Sequence, residues 1–292
     1  MYNLERRSMV RWIDDIQSTI MINTFRLSLF LSCILLLFTG CQSNQLDSTD
    51  ETDTAWVFDW DELEARIIEL TNQAVRDESP SELYRFKSQL VKIHTGEDDE
   101  RALSREYWTA VLNTNLIFLE QEIGADDQVH RLIDESIELL EQTDYAIAET
   151  NSLLALLYRA KIDYDKTRTF ELFSKMQDAL DRAIEADPAN LRVLFAQIFI
   201  GVSPVTGFSI DIDVQANINT VLSSNYETKG DAMTPTWGLP EIYGIAIGRL
   251  MEAEKITEAS ELTAMAIAKF PSDATLGYFA LLFQIEQNDV EP

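Results

Sequence analysis

The stretch "MQDALDRAIEADPANLRVLFAQIFIG", Met176 to Gly201, decides the architecture. Met176, Leu180 and Ala183 recur at spacings of four and three, which places them on one face of a helix; Pro188 stops the segment, and Leu191 opens a new apolar run. A second stretch, "ASELTAMAIAKFPSDATLGYFALLFQ" from Ala259 to Gln284, has the same layout. In each, a helix closes on an alanine five residues ahead of a proline, Ala183 before Pro188 and Ala266 before Pro271, and the next helix opens two or three residues later.

The same periodicity continues outward in both directions. Leu83, Phe86, Leu90 and Ile93 form a stripe behind Ser79-Pro80-Ser81-Glu82, which predicts a start with Ser79 as cap, Pro80 in the first turn and Glu82 completing a capping box. Gly96 is the expected stop. Tyr107, Val111, Leu112, Phe118 and Leu119 predict a helix running to Gly124, and Val129, Leu132, Ile133, Ile137 and Leu140 one capped by Asp126-Asp127. Further helices are expected near 58–76, 145–161, 168–186, 190–201, 212–223, 239–253, 256–269 and 273–286. No segment keeps the two-residue alternation of a strand. The expected class is therefore all-α, antiparallel helix pairs joined by short polar loops, stacked as a right-handed superhelix or a helical-repeat bundle.

The paired layout resembles the tetratricopeptide repeat, in which small residues sit where helices touch and a proline follows the second helix. Ala259, Ala266 and Pro271 fit the second-helix pattern, with Tyr243 and Leu250 on the first helix; Met176, Leu180, Ala183 and Pro188 fit another copy. The likeness covers 145–286. The sequence departs from the family in lacking its Leu-Gly pair, and Pro188 to Pro271 is 83 residues, not a multiple of the usual repeat of about 34. A generic helical bundle is the alternative.

Near the N-terminus, the apolar run Leu27 to Phe38 is twelve residues, short of the ~20 that cross a bilayer core. With Arg26 ahead and Thr39-Gly40 behind, it suits the apolar part of a secretory signal. Phe38-Thr39-Gly40-Cys41 resembles the lipobox of bacterial lipoproteins, with phenylalanine where leucine is usual. The resemblance implies cleavage between Gly40 and Cys41, acylation of Cys41, and, from Gln42, residence in the outer membrane of a Gram-negative cell with the domain facing the periplasm. The expected organisation is a signal peptide at 1–40, with Met21 as an alternative start; a lipidated N-terminus and disordered acidic tether at 41–54; an N-terminal helical region at 55–144; and a tetratricopeptide-like region at 145–292 with an irregular insert at 201–240. Of the two cysteines, Cys33 lies in the signal, so the mature chain has no internal disulfide.

The chain has 23 basic and 50 acidic residues, net −27. Nucleic acid is an unsuitable partner for such a surface, because phosphate binding depends on Lys and Arg. A basic protein or peptide suits it, and the acyl chains would engage the bilayer. The only histidines, His94 and His130, lack metal-site spacing, and "DIDVQAN" from Asp211 lacks the glycine and glutamate of a calcium loop. Phosphate-binding glycine loops and nucleophile motifs are missing too, so no cofactor, metal or enzymatic activity is expected.

Residues 201–240 hold four of the ten glycines and three of the seven prolines. Irregular connections of this length are often functional. Trp237, Phe208 and Tyr243 are the candidate binding residues, with Trp237 packing on Tyr243 as the structural alternative. The functional expectation is a non-catalytic scaffold for protein partners. A second reading, an accessory solute-binding component, draws on the likeness of "ALDRAIEADP" behind a lipobox to the helical lipoproteins found with TRAP-type transporters. A cell-wall hydrolase using a buried carboxylic acid is the third.

Overall fold

In the computed structural model, residues 60–93, 99–143, 145–226 and 235–289 are described. Cys41, Gly40, the expected signal and tether, His94 and Gly96 lie outside them. Every regular element among the described residues is helical. A short 3-10 turn, Trp60–Glu62, leads into α1 (Leu63–Asp77), α2 (Ser81–Leu90), α3 (Asp99–Glu122), α4 (Asp126–Glu141), α5 (Ile147–Tyr164), α6 (Thr169–Ala186), α7 (Leu191–Val202), α8 (Val214–Ser223), α9 (Leu239–Glu252), α10 (Ile256–Lys269) and α11 (Ala274–Asp289).

Each helix packs on the next in sequence. The odd-numbered helices also pack on one another in order: α1 on α3, α3 on α5, α5 on α7, α7 on α9, and α9 on α11. This is a helical-repeat arrangement, in which one layer of alternate helices runs through the stack and the even helices lie against it. Ala183, Ala259 and Ala266, singled out from the sequence, are fully buried. Ala148, Ala183 and Val193 form a small cluster where α5, α6 and α7 meet. A larger cluster gathers Phe195, Ile198, Leu239, Ile242, Tyr243, Leu276 and Phe283 from α7, α9 and α11.

Local capping differs from expectation at two helices. At α2, Pro80 occupies the cap position and Ser81 begins the helix, one residue later than predicted; Glu82 pairs with Arg85 instead of reaching back. At α4, Ala125 is the cap, and Asp126 and Asp127 lie inside the first turn, where their charge meets the exposed N–H groups. Gly124 does end α3, at φ +73°, a conformation open to glycine at little cost. Asp213, the third residue of "DIDVQAN", caps α8 by accepting from the Ala216 N–H at 2.9 Å. Its carboxylate serves the helix end.

Candidate functional site

The insert meets the helices at Pro235-Thr236-Trp237, and around these three residues the protein buries a polar network. Glu64 comes from the first turn of α1, on the same stripe as Leu63, Ile67 and Leu70, and is only 2% exposed. Its carboxylate accepts the Thr236 backbone N–H at 2.8 and 3.0 Å and the Thr236 hydroxyl at 3.2 Å. Burial still pushes its pKa up, since taking a carboxylate out of water outweighs the hydrogen bonds that favour its charge.

Arg192, 8% exposed in α7, answers that charge. Its Nη1 donates to the Pro235 carbonyl and its Nη2 lies 3.3 Å from Glu149 of α5, which also accepts from Asn190 Nδ2 at 2.7 Å. Among the described residues, Arg192 Nε meets no hydrogen-bond partner. Trp237 Nε1 donates to the hydroxyl of Tyr107 at 2.7 Å, and its ring meets Phe195 edge-on at 5.9 Å. Tyr107, from α3, is completely buried, which drives its pKa well above the ordinary phenol range. Gly238 follows at φ +95°, where a Cβ would lie 3.0 Å from the Phe195 ring. The loop therefore fastens α1, α3 and α7 at one point, and Arg192 carries the link on to Glu149 of α5.

The three aromatic candidates take different places. Trp237 contacts Tyr107 and Phe195. Tyr243 is buried in α9, packs edge-on against Phe270, and its hydroxyl accepts from Lys269 Nζ at 2.9 Å. Phe208 lies on α6, its ring 4.3 Å from Phe173 and 6.3 Å from Phe170. Phe170 was not anticipated, because it falls off the apolar stripe of its helix; that misfit was the signal. Glu64, Arg192 and Tyr107 were also missed, being a charged, a charged and an aromatic residue in ordinary helical positions whose partners are remote in sequence.

Other polar side chains link neighbouring helices. Tyr84 donates to Glu120 at 2.6 Å and accepts from Gln128 at 2.8 Å. Tyr158 donates to Glu141, which also takes Lys175 at 3.2 Å; the Tyr158 hydrogen bond holds the Glu141 carboxyl below its usual range. His130 is exposed on α4, its ring edge-on to Tyr164 at 4.8 Å. Among the described residues, no three His, Cys, Asp or Glu side chains gather as metal ligands, and no helix is long and apolar enough to cross a membrane.

Comparisons with family models, with curated proteins and with solved structures gave no match for this chain.

Proposed function

We propose that the protein is a membrane-anchored periplasmic lipoprotein acting as a non-catalytic scaffold: Cys41 carries the acyl chains, the acidic segment behind it spaces the domain from the bilayer, and the tetratricopeptide-like stack receives a protein segment. The observation that carries this reading is the ordered packing of alternate helices from α1 to α11. Helical-repeat proteins use such layers as extended recognition surfaces. Net charge of −27 favours a basic partner and speeds its approach. The buried carboxylates Glu64 and Glu120 and the half-buried Glu149 each hold a structural hydrogen bond between elements, a supporting role that needs no reaction.

The test has two arms. Cys41→Ala should abolish palmitate labelling and release the chain from the membrane fraction; continued labelling refutes the acylation site. Crosslinking in the native envelope should join the helical domain to a protein. A small molecule retained in native mass spectrometry, with no protein adduct, would overturn the scaffold in favour of solute handling.

A further inference from the structure

Phe170 opens α6 with 79% of its surface in water, an unusual exposure for so large an apolar side chain. Its ring stands 6.3 Å from that of Phe208, which in turn lies 4.3 Å from buried Phe173. Three rings thus lead from the helix interior to solvent. The loop that presents Phe208 is built to stay in place. Arg159, 7% exposed in α5, donates from Nε to the Ser203 carbonyl at 2.7 Å and from Nη2 to the Ser203 hydroxyl at 2.9 Å. The Phe208 N–H closes a turn onto Val205 at 3.0 Å, with Gly207 at φ +86°. A ledge held this way loses little conformational freedom on binding.

Charge indicates what sits there. Beyond Phe170, α6 exposes Glu171, Asp178, Asp181 and Glu185. Glu171 is paired with Arg168, but Asp178, Asp181 and Glu185 meet no cation among the described residues. The two basic residues of α6 are already engaged, Lys175 with Glu141 and Arg182 with Asn151 at 2.9 Å. At 1.5 Å per residue, Asp178 lies about 12 Å and Glu185 about 22 Å along the helix from Phe170.

We propose that this ledge docks a segment of a partner protein in which one large apolar side chain is followed, over about 12–22 Å, by lysines or arginines. The proposal rests on the scaffold reading above. Phe170 and Phe208 hold the apolar group, and the three free carboxylates take the cations. A bilayer surface is the poorer occupant, because the acids beside Phe170 would face anionic head groups.

The test uses the full chain in mild detergent and fluorescent twelve-residue synthetic peptides, read by anisotropy. One peptide carries tryptophan near its end and lysines about four to seven residues further on, the extended-chain equivalent of that span. A second has glutamate for lysine, and a third alanine for tryptophan. Only the first should bind. Phe170→Ala should weaken it at least about tenfold, without moving the melting temperature, since the side chain is exposed. Asp178→Asn with Asp181→Asn should weaken it and flatten its salt dependence.

Equal binding by wild type and Phe170→Ala, equal binding of the third peptide, or no binding of the first overturns the proposal. So does Phe170-dependent sedimentation with phosphatidylglycerol vesicles without peptide binding, which assigns the ledge to the bilayer. Each of these leaves the scaffold reading standing if envelope crosslinking finds a protein on another face, whereas the lack of a protein adduct on every face brings both down.

Discussion

Removing the indole N–H of Trp237 should expose how much the central network contributes. Trp237→Phe leaves the Tyr107 hydroxyl, wholly buried, without the donor at 2.7 Å. An unsatisfied buried polar group costs about 1–3 kcal/mol, to which the smaller ring adds a packing loss against Phe195 of roughly 1 kcal/mol. Tyr107→Phe strands the indole N–H instead; Trp237 is only half-buried and water can reach it, so about 0.5–1.5 kcal/mol is expected. The double variant removes both partners and should be less destabilised than the sum of the singles by about 1 kcal/mol. The packing loss is common to both Trp237 variants and cancels in the cycle. Equilibrium urea unfolding of the four proteins, followed by circular dichroism at the helix band, measures the coupling. A value within about 0.3 kcal/mol of zero would refute the claim that this hydrogen bond fastens the loop to α3.

Three further outcomes follow from the same region and its neighbour. Gly238→Ala combines a left-handed backbone with a Cβ 3.0 Å from Phe195 and should cost about 2–5 kcal/mol in the same urea assay; a loss below about 0.5 kcal/mol contradicts the geometry. Glu64 binds its proton more tightly folded than unfolded, so its contribution to stability is present below the ordinary carboxylate pKa and is lost as pH rises through the raised folded value. Carboxyl carbon NMR should find it titrating above the ordinary glutamate range, and a midpoint at or below that range sinks the account. Arg159→Lys loses the two-pronged grip on Ser203 and should destabilise by about 1–3 kcal/mol, with looser Phe208 resonances as the second readout.

The helices were legible because their apolar residues repeat at helical spacing and their ends carry Pro and Gly. Met176, Leu180 and Ala183 are buried on one face as read. The alternate-helix layer was legible only as a resemblance, since periodicity names the buried face of a helix and not the helix it meets. Capping was read too literally: Ser79 and Glu82 have the right residue types, yet Pro80 and Ser81 take the cap and first position, which leaves Glu82 to Arg85. The central network was illegible for another reason. Glu64 and Thr236 are 172 residues apart, and no local pattern distinguishes a glutamate that will be buried from the many that stay in water. Trp237 was flagged by its setting between Pro235 and Gly238, but its partner proved to be Tyr107, on a helix far earlier in the chain.

That separation of 172 residues also sets a timetable. At the usual pace of synthesis, the ribosome needs roughly 10–30 s after adding Glu64 before Thr236 exists. Until then the carboxylate of the opening helix has no loop to grip, and its neighbours lack their closing piece. The clasp can consequently close only after α2 to α8 have all left the ribosome, so the opening helix must wait for seven others before its carboxylate is covered.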